Sequence, residues 1–241
     1  MGRRMYDRGY VVACEGNLSV RLSHNQILLT PAGVCKGELE PRDLIVVDLK
    51  GGILCGAGKP SSEMQMHLLF YRSRPEVRAV CHAHPPVATG FAVAGRSLEE
   101  PVLPEVIVSL GKIPLARYGT PGTWELCKGL QPLVQDHDAI LLENHGVVTC
   151  GHDLASAYQH METVEHFAQV MLIAESLGGA RPLSQAAVQR LIEARPPHPG
   201  LFAQNSGEPP LNSKSSESRS GVSTEEFGHP TEIPFEKSAC Q

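Results

Sequence analysis

The chain has 241 residues, 41% of them hydrophobic and 20% charged, with a formal net charge of −5 at pH 7. This length is enough for one substantial core, while the acidic balance and the scattered basic residues argue against a nucleic-acid partner. No apolar run approaches the ~20 residues that cross a bilayer, and the N-terminus lacks the apolar centre of a secretory signal, so we expect a cytoplasmic protein with no membrane partner.

The first quarter of the chain predicts a β-meander. Four short runs rich in Ile, Leu and Val cover residues 18–22, 26–30, 44–48 and 53–55. Turn residues separate them at Pro31-Ala32-Gly33 and Lys50-Gly51-Gly52. We therefore expect consecutive antiparallel strands.

Helices and further strands alternate in the rest of the chain. Apolar residues at helical spacing predict helices over 62–73, 123–134, 153–179 and 184–194, and the third begins at Asp153 as its N-cap. Strand-like runs occupy 78–81, 139–143 and 147–150. The predicted fold class is α/β, a three-layer α/β/α arrangement with a central, largely antiparallel sheet.

The composition changes sharply near residue 201. Residues 202–241 are rich in Ser, Glu, Pro and Gly, with few large apolar side chains and no periodicity. We expect one domain over 1–201 followed by a disordered C-terminal tail over 202–241.

Two histidines at the end of a predicted strand indicate a metal site. His82 and His84 are two residues apart on an extended segment, so both imidazoles face the same side and can reach one ion, whereas Cys81 between them should face away. His145 also stands at a strand terminus, beside a glycine that lets another group approach closely. Three imidazoles could bind zinc and leave one position for a carboxylate, water or substrate, which is the open arrangement that catalytic sites need. Glu63 is the nearest candidate for the fourth partner.

A turn with two hydroxyls precedes Glu63. Ser61 and Ser62 open the predicted helix, whose free N–H groups and macrodipole attract anions, so this turn is a candidate phosphate cradle. The loops at Gly16-Asn17 and Ala32-Gly33 offer further backbone amides to the same cradle. Glu63 would then lie between the metal and the phosphate and could act as a base toward a phosphorylated sugar.

Each pattern also has a purely structural interpretation. A His-x-His pair can be held by hydrogen bonds, Ser-Ser-Glu before an apolar helix is often only an N-cap with an acidic first turn, and glycine turns are usually only turns. His67, one helical turn after Glu63, is better suited to a structural hydrogen bond than to metal ligation.

Five short motifs, taken together, resemble the class II aldolase/adducin head family. Their order and spacing match over about four-fifths of the chain: Gly16-Asn17-Leu18-Ser19, Thr30-Pro31-Ala32-Gly33, Pro60-Ser61-Ser62-Glu63, His82-Ala83-His84-Pro85 and Asn144-His145-Gly146. The resemblance implies one Zn²⁺ per subunit on Glu63, His82, His84 and His145, with Glu63 also acting as acid/base. It further implies phosphate binding by Gly16, Asn17, Ala32, Gly33, Ser61 and Ser62, and a homotetramer with active sites at subunit boundaries.

The activity that this resemblance implies is cleavage of a phosphorylated deoxyketose, such as L-fuculose 1-phosphate, to dihydroxyacetone phosphate and a small aldehyde. Epimerisation, decarboxylation or dehydration of a related sugar phosphate is the alternative, and a non-catalytic adducin-like interaction module is a third. Manganese or cobalt could replace zinc in an imidazole–carboxylate site. Two tyrosines of the aldolase pattern have no counterpart here, which leaves Glu105 and, less so, Tyr118 as candidates for the final proton donor.

Overall fold

The structure is a computed structural model that describes residues 1–194. Its strands are β1 (Asn17–Ser23), β2 (Gln26–Leu29), β3 (Ile45–Val47), β4 (Ile53–Cys55), β5 (Ala79–Ala83), β6 (Leu115–Ala116), β7 (Ala139–Leu142) and β8 (Gly146–Gly151). Its helices are α1 (Gly2–Asp7), α2 (Met64–Ser73), α3 (Pro86–Val93), α4 (Pro104–Ser109), α5 (Trp124–Leu130), α6 (Leu154–Ser176) and α7 (Gln185–Glu193), with a 3-10 turn at Pro41–Asp43.

These strands form one sheet in the order β4-β3-β2-β1-β5-β8-β7-β6. The first four pair consecutively and antiparallel, which is the predicted meander. β5 lies between β1 and β8 and is antiparallel to both, and β7 is antiparallel to β8. Within the described sheet only β6 and β7 are parallel. The prediction of a largely antiparallel sheet is confirmed.

Helices cover both faces of the sheet. On one face, α3 and α6 pack over an apolar cluster that includes Ala79, Cys81 and Ala83 of β5. On the other face, α2 and α5 pack over a second cluster that includes Val80. Because side chains alternate along a strand, His82 lies on this second face, opposite Cys81. The three-layer α/β/α fold is therefore confirmed.

The helix boundaries differ from the predicted ones in ways that matter for the site. α2 begins at Met64, so Glu63 precedes the helix instead of lying in its first turn. The N-cap of α6 is as predicted, since the Asp153 side chain accepts a hydrogen bond from the Ser156 N–H. α3 and α4, which were not predicted from the sequence, both carry proline as their first residue, where its missing N–H costs no helical hydrogen bond.

Within residues 1–194, every helix is too short or too polar to cross a lipid bilayer. The predicted domain end at residue 201 and the predicted tail over 202–241 lie outside the described residues.

Candidate metal centre

His82, His84 and His145 meet at one end of the sheet. His82 lies in β5, His84 follows that strand, and His145 lies in the turn that joins β7 to β8. One ring nitrogen from each histidine lies within 4.8 Å of the other two. The three ring centroids are 4.7 to 5.0 Å apart. Three imidazoles that converge in this way are typical of a transition-metal site.

The turn between β7 and β8 explains how His84 and His145 come so close. Asn144 adopts a left-handed conformation with φ +54°, which asparagine tolerates better than most residues. A Cβ atom on Gly146 would lie 2.5 Å from Cδ2 of His84 and 2.6 Å from the carbonyl oxygen of Ala83, so a larger residue would displace the His84 ring. Glycine at this position therefore permits the close approach that the sequence predicts.

Glu63 faces the same point as the three rings. Its Oε2 lies 3.1 Å from Nε2 of His82, and its Oε1 lies 3.1 Å from Nε2 of His145. The residue is only 8% exposed, and within residues 1–194 its buried Oε1 accepts no hydrogen bond of good geometry, although Nε2 of His145 lies 3.1 Å away. A bound cation would satisfy this acceptor. Burial alone would raise the pKa of Glu63, but the neighbouring His82 and His145 rings outweigh it and lower the pKa, so Glu63 is a carboxylate at neutral pH.

Hydrogen bonds on the outer ring nitrogens orient the first two histidines. Nδ1 of His82 donates to the carbonyl oxygen of Val147 over 2.8 Å, which leaves its Nε2 free to act as a ligand. Nδ1 of His84 lies 3.1 Å from Oε2 of Glu15. The two Nε2 atoms are 3.2 Å apart. Burial and the nearby His82 and His145 rings lower the pKa of His84 to about 4, which disfavours a proton there. These donors fit a divalent cation.

The loops that carry the six predicted phosphate-binding residues are joined to one another. Pro31 and Pro60 form an isolated β-bridge, which places the loop of Ala32 and Gly33 beside the loop of Ser61 and Ser62. The third loop is attached through the Cys14 thiol, which donates to the carbonyl oxygen of Gly33 over 3.3 Å. The fold therefore brings the predicted residues to one neighbourhood, next to Glu63.

Two groups of this predicted set already have other partners. The Ala32 N–H donates to the carbonyl oxygen of Lys59 over 2.9 Å. The Asn17 side chain is 3% exposed; its Nδ2 donates to Oε2 of Glu63 over 2.9 Å, and its Oδ1 contacts Nε2 of His67. The Asn17 amide thus orients the Glu63 carboxylate, a role that the sequence reasoning missed.

Gly16 has a packing role of its own. A Cβ atom there would lie 2.8 Å from the carbonyl oxygen of His82 and 2.5 Å from a methyl group of Val11, and φ is +68°. Among the hydroxyl residues, Ser61 accepts a hydrogen bond from the Glu63 N–H over 3.3 Å, and Ser62 is exposed. Ala32, Gly33 and Ser62 are the exposed members of the predicted phosphate set, and of these Ala32 already has its N–H paired.

Neither candidate proton donor is buried. Tyr118 is 54% exposed, and its backbone N–H donates to Glu143, two residues before His145. Glu105 is exposed in the first turn of α4.

The family model for the class II aldolase and adducin N-terminal domain matches residues 1–172. The chain therefore belongs to this family, as the five sequence motifs predict. Its matched part contains β1 to β8 together with all four residues of the candidate metal centre.

Individual relatives differ in their reactions. An L-fuculose phosphate aldolase of Methanococcus maripaludis is 38% identical over 174 residues, which is 72% of this chain and 93% of that protein. A 3-oxo-tetronate 4-phosphate decarboxylase of Escherichia coli is 35% identical over 194 residues, 79% of this chain and 89% of that protein. The solved structure of an L-fuculose-1-phosphate aldolase from Thermus thermophilus has a TM-score of 0.67 and 33% identity, covering 76% of this chain and 94% of that one. Aldolase and decarboxylase are both represented among the similar proteins.

Proposed function

We propose that this protein is a metal-dependent lyase that breaks a carbon–carbon bond in a phosphorylated sugar, with a ketose phosphate such as L-fuculose 1-phosphate as substrate. The observation that carries this proposal is the convergence of His82, His84, His145 and Glu63 on one point at the end of the sheet. A divalent cation at this point, Zn²⁺ by preference, supplies a Lewis acid that stabilises negative charge on substrate oxygens.

The protein's own residues supply the base and its alignment. Glu63 is an anion at neutral pH and is held by the Asn17 amide, so it can accept a proton from the substrate without first losing one of its own. In the condensation direction this proton comes from dihydroxyacetone phosphate. The Val147 carbonyl keeps His82 in the tautomer whose Nε2 points to the ligand position.

The phosphate group of the substrate belongs beside Glu63, on the joined loops. Ser61, Ser62 and the main chain at Gly33 are the groups that we assign to it, with Gly16, Asn17 and Ala32 shaping the loops around them. Backbone amides and hydroxyls suit a phosphate, and the 3.3 Å hydrogen bond from the Glu63 N–H to Ser61 links the phosphate side to the base.

Decarboxylation of a phosphorylated 3-oxo acid is the second candidate, because the Escherichia coli decarboxylase aligns over 79% of this chain and the Methanococcus maripaludis aldolase over 72%. Both reactions leave negative charge on an oxygen next to the broken bond, so the same cation and carboxylate serve either. The two differ in the fragment that leaves, which is an aldehyde in one case and carbon dioxide in the other.

Product analysis separates these functions. The purified protein, loaded with Zn²⁺, is incubated with L-fuculose 1-phosphate and, separately, with a 3-oxo-tetronate 4-phosphate, and dihydroxyacetone phosphate and carbon dioxide are measured. Release of dihydroxyacetone phosphate from the first, abolished by a chelator, supports the aldolase. Carbon dioxide from the second alone favours the decarboxylase. An isomeric sugar phosphate with no cleavage product would reject both, and a protein with neither metal nor activity would favour a non-catalytic interaction module.

We also propose that the protein is a homotetramer, as the family resemblance implies. Large apolar side chains are exposed on α3, α6 and α7, among them Val93, Leu172, Ile173 and Ile192. Burial of such side chains between copies would remove apolar surface from water. Light scattering on the purified full chain measures the assembly, and a mass of one chain would contradict this part of the proposal.

A further inference from the structure

Buried polar side chains lie beneath Glu63, between β1 and α2. Asn17 and Ser19 are two residues apart on β1, while His67 and Tyr71 are four residues apart on α2, so each pair occupies one face of its element. The four are between 0% and 3% exposed. This is an unusual concentration of polar groups for a protein interior.

The four side chains form a continuous hydrogen-bonded chain that ends on Glu63. The Tyr71 hydroxyl lies 2.8 Å from Oγ of Ser19, which lies 2.6 Å from Nδ1 of His67. Nε2 of His67 contacts Oδ1 of Asn17, and Nδ2 of Asn17 lies 2.9 Å from Oε2 of Glu63. No member is exposed enough for water to take the place of its neighbour.

One direction of donation satisfies every member. A carboxylate only accepts, so the Asn17 amide turns its NH₂ group to Glu63 and its oxygen to His67. That oxygen requires a donor, which places the His67 proton on Nε2; in a neutral, fully buried imidazole, Nδ1 then accepts from the Ser19 hydroxyl. Because the Ser19 proton is used in this way, the Tyr71 hydroxyl donates to Ser19. Each donor therefore points toward Glu63.

Packing alone does not require this chemistry. Apolar side chains of similar volume would fill the same space, whereas a buried polar group without a partner costs about 1–3 kcal/mol. The same strands carry apolar residues on their other face, such as Leu18 of β1 and Cys81 of β5. The polar groups lie on the side of the sheet where they reach Glu63.

We propose that His67 is a positioning residue which, with Ser19 and Tyr71 behind it, holds the Asn17 amide in the orientation that fixes the Glu63 carboxylate. This inference rests on the proposed function, in which Glu63 serves as both ligand and base. A carboxylate whose rotation is restrained stays aligned for both tasks, so breaking the chain affects cation affinity and turnover together.

His67→Gln and His67→Leu form the central pair of variants. Glutamine keeps a side-chain N–H donor for Asn17, while leucine fills a similar volume without one. We expect His67→Leu to weaken Co²⁺ binding and lower kcat by about 10- to 100-fold with little change in KM, and His67→Gln to recover most of both. If His67→Leu kept the wild-type Co²⁺ affinity and kcat and only its Tm were lower, the positioning role would be wrong.

Tyr71→Phe tests the end of the hydrogen-bonded chain that lies farthest from Glu63. It is a milder change than His67→Leu and serves as the test if that variant fails to fold. Loss of this hydroxyl should lower kcat by about 2- to 10-fold, the factor that one hydrogen bond of about 0.5–1.5 kcal/mol represents. Tyr158→Phe is the matched control, because Tyr158 is also fully buried and its hydroxyl donates to Glu162 over 3.0 Å on the other side of the sheet. Equal losses of kcat in both variants would contradict the proposal.

Nitrogen-15 NMR of the metal-free protein examines the hydrogen-bonded chain in the absence of substrate. The expected signature is a His67 ring with its proton on Nε2 and an unprotonated Nδ1; a proton on Nδ1 would overturn the proposal.

If the wild type cleaves neither sugar phosphate, yet His67→Leu binds Co²⁺ more weakly than His67→Gln, then the proposed function fails and the positioning role stands. Cleavage at equal rates by both variants would reject the positioning role and leave the proposed function intact.

Discussion

The two faces of the central sheet share the same strands but differ in the side chains that they bury near the end of β5. On the face covered by α3 and α6, β5 contributes Ala79, Cys81 and Ala83 to a large apolar cluster. On the opposite face, covered by α2 and α5, the same strand places His82 next to Glu63 and the buried Asn17 amide. A single strand thus serves the core on one side and the candidate metal centre on the other.

This difference indicates how the molecule divides stability from function. Burial of apolar side chains contributes about 25 cal/mol per Å² of apolar surface, so the first face stabilises the fold without any need for specific partners. Polar groups on the second face must each find a hydrogen bond to avoid a desolvation penalty. Apolar substitutions in the first cluster should therefore change stability, whereas substitutions among the polar groups beside Glu63 should change metal binding and turnover.

The largest expected effect is that of Glu63→Gln on turnover. Glutamine has a similar size but cannot act as a base, so we expect kcat to fall by about 100- to 10,000-fold in a steady-state assay of sugar-phosphate cleavage. Glu162→Gln, on α6 at the other face, is the matched control and should retain the wild-type kcat. A Glu63→Gln enzyme that turned over at the wild-type rate would show that another residue is the base.

Met161→Ala tests the apolar face. Met161 is fully buried in the cluster under α6, and its truncation should lower the free energy of unfolding by about 2–5 kcal/mol in denaturant titrations. The affinity for Co²⁺ in the folded variant should stay unchanged. A parallel loss of cation affinity would mean that the two faces are coupled.

Glu165 connects the apolar face to the chain that follows His84. Its buried carboxylate accepts hydrogen bonds from the N–H groups of Val87 and Ala88 in the first turn of α3. Glu165→Gln should lower the free energy of unfolding by about 1.5–3 kcal/mol, the range for a hydrogen bond to a charged group, as measured by denaturant titration. Glu193→Gln, on the exposed side of α7, should change it little; equal effects would show that the capping interaction contributes nothing.

The smallest expected effect on stability concerns the ion pair of Arg74 and Asp138, whose charged atoms are 2.7 Å apart. This pair lies at the end of β7 away from His145. Burial alone would raise the pKa of Asp138, but the Arg74 guanidinium outweighs it and lowers the pKa. A carboxyl whose pKa is lower in the folded state adds stability at neutral pH and loses it as the pH falls through that lower value.

Denaturant titrations at several pH values test this pair. As the pH falls from about 5 through the ordinary range of a carboxyl group and below it, the wild type should lose stability that Asp138→Asn does not lose. Identical slopes of the free energy of unfolding against pH in the two proteins would contradict the assignment. Since Asp138 lies at the opposite end of β7 from His145, cation affinity should not change.

Local patterns were sufficient to predict the histidine cluster. His82 and His84 are two residues apart on a strand, and strand geometry alone puts them on one side. The hairpin of β7 and β8 then brings in His145 through ordinary antiparallel pairing. The meander was predictable for the same reason, because its turns and strands follow one another directly in sequence.

The role of Asn17 could not be predicted in this way, because it depends on how α2 lies across β1. The sequence does contain a partial signal, since polar residues repeat at i and i+2 on β1 and at i and i+4 on α2, in Asn17 with Ser19 and His67 with Tyr71. The sequence favours a structural hydrogen bond for His67, and the structure identifies Asn17 and Ser19 as its partners. Ser61 and Ser62 suit an N-cap and so predict a start for α2 that is too early, since the helix begins at Met64.

The most direct test of the account is a Co²⁺ titration of the metal-free protein, followed through its visible absorption. We predict one ion per chain in the wild type, loss of binding in His84→Ala, and retention in His166→Ala, which removes an exposed histidine from α6. Two results would contradict the claim that Glu63, His82, His84 and His145 hold a catalytic cation. One is that His84→Ala binds one ion with the affinity of the wild type, and the other is that the wild type shows no saturable binding.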